Sequence, residues 1–228
     1  MRRLPVYFLL DVSGSMYGEP IAALNSALRS LLNELNRDPQ SIDSVALSII
    51  TFGLKVEELF PLTELPAVQL AEIDCPRSGP TFTGKALELL HEKVSQDVRK
   101  STPEQKGDFR PLLFLFTDGK PSDVAVYDAI VPKIKALNFA TIVGCAAGNL
   151  ADETKLRQLT ETVLHLETAD SVTLGQFFQW VSSTIDENLA PTPAKDENSE
   201  QANEARDDGS TSYEDFLPPP PDEVNIII

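Results

Sequence analysis

Five oxygen-bearing residues in three short stretches have the types and spacing to hold a cation. They are Asp11, Ser13 and Ser15 in Asp11-Val12-Ser13-Gly14-Ser15, Thr81 in Gly79-Pro80-Thr81-Phe82-Thr83-Gly84, and Asp118 in Thr117-Asp118-Gly119. Asp11 closes the apolar run from Leu4 to Leu10, and Asp118 follows a second such run, Pro111 to Phe116. A buried strand that ends in a carboxylate and hydroxyls presents them at its carboxyl end. In open parallel α/β sheets the crevice beyond those ends is where ligands sit. An all-oxygen set suits a hard cation such as Mg2+ or Mn2+, whereas zinc favours His and Cys.

The elements that must position these residues follow from periodicity. Leu4 to Asp11 is too uniformly apolar for a half-exposed strand and reads as a central parallel strand covered on both faces. Pro20 suits the first turn of a helix, and Ile21, Leu24, Leu28, Leu31, Leu32 and Leu35 recur at helical spacing. Ser44 to Phe52 reads as a second strand, and the short Gly53-Leu54 link predicts an antiparallel hairpin with Lys55 to Leu62 at the sheet edge. Residues 65–80 show no period and read as a loop that delivers Thr81 to a helix ending near Arg99. After the strand at 111–116, the chain alternates helix (123–137), strand (139–146), short helix (152–161), strand (163–167) and helix (171 to about 189). Such alternation predicts an α/β fold: a doubly wound, mostly parallel, Rossmann-like sheet with one antiparallel edge strand.

Composition narrows the function classes. The 228 residues suffice for one α/β domain with an appendage. With 35 acidic against 19 basic residues the net charge is −16, which repels phosphate backbones and anionic lipid, so no nucleic acid and no membrane partner is expected. No run approaches the roughly 20 apolar residues of a membrane span, and the Met1-Arg2-Arg3 start carries no signal-peptide pattern. Cys75 and Cys145 form no CxxC, which fits reduced thiols, and the expected location is cytoplasmic. His91 reads as a surface residue, and His165, Cys145 and the Phe177-Phe178-Trp180 cluster as structural.

The motif DxSxS, a threonine in T-x-T-G-x-A-L and an aspartate in TDG, in that order on this element pattern, resemble a von Willebrand factor A domain with a metal-ion-dependent adhesion site. The resemblance covers roughly residues 4–189. It implies that Ser13 and Ser15 bind the metal directly, that Thr81 and Asp118 contact it directly or through water, and that Asp11 supports them. The remaining coordination position would take a carboxylate from a protein partner. Hydroxyl ligands donate little charge, so an ion held by Ser13, Ser15 and Thr81 stays electrophilic and seeks one more anionic oxygen. A lone DxSxS also reads as a helix N-cap, and Thr83 is a candidate cap for the helix that follows it. Gly14 and Gly119 read as backbone devices rather than ligands.

The opening Met1 to Tyr7, the Cys145-Ala146-Ala147-Gly148 stretch and the Leu217-Pro-Pro-Pro-Pro-x-x-Val-Asn ending are similar to the bacterial TerY group, named for tellurium resistance. That resemblance implies association with a Ser/Thr protein kinase and a PP2C-type phosphatase. It supports an adaptor in a phosphorylation system linked to stress or tellurite resistance. Some members carry a C-terminal cysteine-rich zinc module, and neither Cys75 nor Cys145 lies in the tail of this sequence, so no role of that module is carried over.

Domain organisation is read as a domain over 1–189, an acidic linker over 190–217 expected to be disordered, and a Pro-rich spacer with an apolar peptide over 218–228. Residues 190–228 hold ten acidic residues against Lys195 and Arg206, so half the net charge falls there. Four prolines then precede Val224, Ile226, Ile227 and Ile228, an apolar, β-branched segment. This segment is expected to bind as a β-strand to a sheet edge or groove, in cis or in trans. Two further readings stay open. One is a metal-assisted phosphohydrolase using Asp11, for which no P-loop or D-x-D pair is present and Lys120 is the one nearby lysine. The other is a regulatory substrate phosphorylated at Ser210, Thr211 or Ser212.

Overall fold

The computed structural model describes residues 2–148, 152–189, 219–221 and 224–226. In chain order the elements are β1 (Leu4–Asp11), α1 (Glu19–Leu35), α2 (Pro39–Ser44), β2 (Val45–Phe52), β3 (Val56–Glu64), α3 (Thr83–Asp97), β4 (Leu112–Thr117), α4 (Val124–Lys135), β5 (Thr141–Ala147), α5 (Glu153–Leu159), β6 (Thr162–Leu166), α6 (Ser171–Leu189) and β7 (Val224–Ile226). The strands form one sheet in the order β3-β2-β1-β4-β5-β6-β7. β1, β2, β4, β5 and β6 are mutually parallel, and β3 closes one edge antiparallel to β2. Those six strands are the α/β sheet with one antiparallel edge strand that alternation and the short hairpin link predict. The seventh, β7, lies antiparallel on β6 at the opposite edge.

Alternating residues of β1 feed two cores, which is why its sequence is apolar throughout. Leu4, Val6, Phe8 and Leu10 join the core built with α1 and α6, while Tyr7 and Leu9 join the core built with α3, α4 and α5. Phe8 stacks on Phe114 of β4 at 5.4 Å and meets Phe178 of α6 at 6.0 Å, and Phe178 packs edge-on against Phe177 at 5.1 Å. Trp180 and Cys145 are buried in the same core. This double coverage makes the two central strands a rigid floor for whatever lies at their ends.

Some details differ from the sequence expectation. The helix α2 falls where no helical period was visible. It is one short turn started by Asp38, whose carboxylate accepts from Ser41 N at 2.6 Å, with Pro39 in the first turn. The linker expected over 190–217 lies outside the described residues, as do Ile227 and Ile228. Among the described residues no helix is long and apolar enough to cross a membrane.

Candidate metal-binding site

The chain runs from β1 outward to β2 and β3, then returns past β1 to β4, β5 and β6. The neighbours β1 and β4 therefore flank the point where strand order reverses. Their carboxyl ends cannot both be covered by crossovers from one side, and a crevice opens between them. Asp11 is the last residue of β1, and Asp118 directly follows β4.

Asp11 forms the floor and is fully buried. Its Oδ1 accepts from Ser13 N at 2.8 Å, folding the chain back over the strand end, and its Oδ2 accepts from Thr117 Oγ1 at 2.6 Å. Ser13 lies just above, 1 % exposed, with its Oγ 3.1 Å from Ser15 Oγ. Ser15 is exposed and donates to Asp118 Oδ1 at 2.7 Å. Thr81 is 7 % exposed and lies beside Gly119, where an added Cβ would stand 3.2 Å from Thr81 Oγ1 and 4.0 Å from Asp11 Oδ2. All five residues expected at the site are thus gathered at the crevice. The hydroxyls and carboxylates grade from a buried floor to an open mouth.

Two loops are locked to hold this shape. Gly14 has no room for a side chain, since a Cβ there would lie 2.4 Å from Ser78 Cα. Its role is close approach of two backbones. The aperiodic stretch before Thr81 is pinned at several points: Asn25 exchanges two hydrogen bonds with the Ile73 backbone, at 2.9 and 2.8 Å, and the Cys75 thiol donates to Ser13 O at 3.0 Å. Thr81 itself is held on both backbone groups by Ser122, with Thr81 N donating to Ser122 Oγ at 3.0 Å and Ser122 N to Thr81 O at 2.8 Å.

Sequence reasoning missed Thr117, Ser122 and Asp123. Thr117 stood within the TDG motif, one residue before the aspartate, yet its orientation toward Asp11 follows only from the β1–β4 pairing. Asp123 caps α3 from a neighbouring element, accepting from Gly84 N at 3.0 Å and Lys85 N at 2.9 Å. Thr83 therefore does not cap this helix; its hydroxyl is buried with no hydrogen-bond partner among the described residues.

The electrostatics follow from burial. Burial pushes the Asp11 carboxyl up to about 6, with the nearby Asp118 charge adding to it, while donors from Thr117 and Ser13 act the other way. Asp118 is raised as well, again by burial, with Ser15 opposing. The Cys75 thiol is pushed up to about 11 by burial and then by the same two aspartates. Among the described residues, the donors to Asp11 and Asp118 are hydroxyls and backbone N–H groups, with no cationic side chain among them. A divalent cation would satisfy two carboxylates that neutral donors leave undercompensated, and the donor set is all oxygen, as hard cations require. Among the described residues no group of three or more His, Cys, Asp or Glu is assembled, and this site combines two carboxylates with three hydroxyls.

A family model described as the von Willebrand factor type A domain matches residues 6–179. No curated protein matches the chain in sequence. Among solved structures, the chain is similar to proximal thread matrix protein 1 from the mussel byssus, at 19 % identity and TM-score 0.61, over 79 % of this chain and 47 % of that one. A further structure of that protein has a zinc-occupied MIDAS motif. A von Willebrand factor type A protein from Catenulispora acidiphila aligns at 18 % identity and TM-score 0.59, over 80 % of this chain and 42 % of that one. The PilB minor pilin from Streptococcus sanguinis aligns at 11 % identity and TM-score 0.63, over 83 % and 62 %. The chain thus spans less than half the length of the first two and under two thirds of the third, and likeness at these identities speaks for the fold.

Proposed function

The chain belongs to the von Willebrand factor type A family, and from that premise we propose that it is a divalent-metal-dependent protein-binding module rather than an enzyme. The observation that carries this reading is the uncompensated pair Asp11 and Asp118, set with Ser13, Ser15 and Thr81 at the β1–β4 switch point. Ser13, Ser15, Thr81 and Asp118 would hold Mg2+ or Mn2+, and Asp11 would orient the Ser13 backbone and supply charge beneath it. When bound, the ion supplies an electrophilic position for one more anionic oxygen, which a partner's Asp or Glu carboxylate fits.

The surroundings favour a protein as that partner. Tyr17 and Leu54 are 48 % and 57 % exposed. Tyr17 follows the 3-10 turn that carries Ser15, and Leu54 lies against Gly79 in the loop leading to Thr81. Arg77 sits over the Tyr17 ring, 5.3 Å from its centroid. An exposed tyrosine with a stacked arginine beside a buried polar centre is the composition of an interface hot spot, and Leu54 adds exposed apolar surface next to it.

The sequence resemblance to the TerY group supports a finer reading: a cytoplasmic adaptor between a Ser/Thr kinase and a PP2C-type phosphatase, in a stress or tellurite response. Affinity capture from a cytoplasmic extract tests both levels, with the full chain in Mg2+, in chelator, and as Asp11→Ala. Retention of a kinase or phosphatase only with metal and only by the unsubstituted chain is the expected result. Equal retention in chelator overturns the metal-dependent mechanism. Phosphoester turnover that Asp11→Ala abolishes would replace it with the enzyme reading.

A further inference from the structure

The sheet edge opposite β3 carries a short strand from a remote part of the chain. β7 pairs antiparallel with β6, with Val224 opposite Leu166, Asn225 opposite His165 and Ile226 opposite Leu164. Without it, β6 would present a row of unpaired N–H and C=O groups beside Leu164 and Leu166, both fully buried in the core shared with α6. β7 also lies against α6. The edge therefore needs a cover, and the cover comes from sequence far along the chain.

Three features make this cover separable from the domain. The pairing spans three residues, whereas β4 and β5 pair over six. The prolines at 219–221 lack N–H groups, so pairing cannot extend in that direction, and β7 is confined to residues on their C-terminal side. Residues 190–218 join Leu189 to Pro219, a contour of roughly 100 Å. Within that stretch residues 191–212 are acidic, with alanine and proline their only apolar residues, and Tyr213, Phe216 and Leu217 stand just before the prolines. The result is a short apolar module on a long tether.

We propose that the β6 edge is a strand-acceptor site for an extended peptide with β-branched apolar residues at alternate positions, filled in cis by Val224–Ile226 and open to a partner strand of that kind only when the tether's own strand is displaced. Main-chain pairing with β6 supplies the affinity of such a site, and the alternate positions opposite Leu164 and Leu166 supply its selectivity. The tether sets the threshold for entry. At an effective concentration of about 1 mM, a tethered strand weakens a competing peptide of intrinsic Kd ~0.1 mM about tenfold.

The probe is a fluorescent synthetic peptide of residues 218–228, titrated against the full chain and against the full-length double variant Val224→Asp/Ile226→Asp. The variant should take up the peptide about ten times more tightly than the unsubstituted chain, and a peptide bearing the same two aspartates should not bind. A variant that takes up no peptide, or an unsubstituted chain that binds it equally well, overturns the proposal. Hydrogen exchange on the unsubstituted chain guards against a misfolded variant. Amides of β6 should be protected, lose protection in full-length Asn225→Pro, and regain it when peptide is added; β6 amides that exchange alike in both chains overturn it. A dimer that forms only when residues 224–226 are intact would overturn the assignment in cis.

Discussion

At the amino end of the central strands, Asp108 meets Arg3 as a two-pronged fork, with Nη2 2.8 Å from Oδ2 and Nε 3.1 Å from Oδ1, and accepts Arg99 N at 2.9 Å besides. At the carboxyl end, Asp11 receives, among the described residues, a hydroxyl and a backbone N–H and no cation. Both carboxylates are nearly or wholly shielded from water, the Asp108 side chain being 2 % exposed. They titrate in opposite directions. Burial raises Asp108, but the Arg3 hydrogen bonds and the Arg99 N–H outweigh it and hold the group below the ordinary carboxylate range. Burial carries Asp11 up to about 6. One end of the sheet is electrostatically complete as a protein, and the other, on the function proposed above, would be completed by an ion from solution.

The largest effect should come from breaking the complete end. Arg3→Ala leaves Asp108 shielded without its cation and also removes the donor to Asp97 O. Breaking one side of a shielded pair costs roughly 3 to 4 kcal/mol. At 2–4 °C per kcal/mol for a chain of this size, the melting temperature should fall by about 10 °C, and by the same amount in Mg2+ and in chelator. A drop confined to the metal-free sample would mean that the two ends are not independent.

Asp11→Asn should act with opposite sign. A carboxyl raised from 3.8 to about 6 destabilises the metal-free fold at neutral pH, by up to about 3 kcal/mol at 1.36 kcal/mol per unit. The amide removes that charge, so the metal-free variant should melt at or above the parent. The same substitution should weaken Mg2+ or Mn2+ binding roughly 100-fold, measured by titration calorimetry. It should also erase the several-degree rise that a cation at about 100 times its Kd gives the parent. A variant that is destabilised in chelator, or that still responds to metal, contradicts the comparison.

pH sharpens the contrast next. Asp11 has its folded value above its unfolded one, so the metal-free fold gains stability as pH falls from 6 toward 4, and loses it as pH rises through that window. Asp108 has its folded value depressed, so its contribution is intact above about 4 and is lost only below. Between pH 7.5 and 5, protons compete with the cation for Asp11 while the Arg3–Asp108 pair is unchanged. The melting-temperature gap between Mg2+ and chelator should therefore shrink by the equivalent of about 1.4 kcal/mol, one pH unit below the carboxyl's value. A gap that is constant across this range would remove Asp11 from the binding equilibrium.

How much of the molecule is legible in its sequence differs between the two ends for a physical reason. The carboxyl-end residues are short-range signals: DxSxS and TDG each follow an uninterrupted apolar run, and both runs had to be central strands because nothing in them alternates. Thr81 was legible from its motif. The fork at the other end was not, since Arg3 and Asp108 flank different strands and nothing local marks either as paired. The same holds for Asn25 clamping Ile73, for Asp123 capping α3 from another helix's start, and for α2, whose six residues are too few to show a period. Contacts made through tertiary pairing leave no period in the sequence, whereas strand ends do.

The smallest effect, and the most specific, belongs to Thr117. Its hydroxyl donates to Asp11 Oδ2 at 2.6 Å and accepts from Gly119 N at 3.2 Å, so it links the β1 end to the turn that follows Asp118. Thr117→Val keeps the shape and removes both bonds. Asp11 then loses a donor that lowers its carboxyl, and the Gly119 N–H loses its acceptor, together about 1 kcal/mol of stability in chelator. Cation affinity should fall about fivefold, because the carboxylate beneath the ion is both less oriented and more readily protonated. The pH at which half of the metal response is lost should move upward, whereas Arg3→Lys, which keeps a charge but loses the fork, should lower stability and leave that midpoint where it was. If Thr117→Val lowers stability without moving the midpoint, the hydroxyl only packs the floor of the crevice. If the midpoint moves, the hydroxyl tunes the carboxylate that the proposed ion would need.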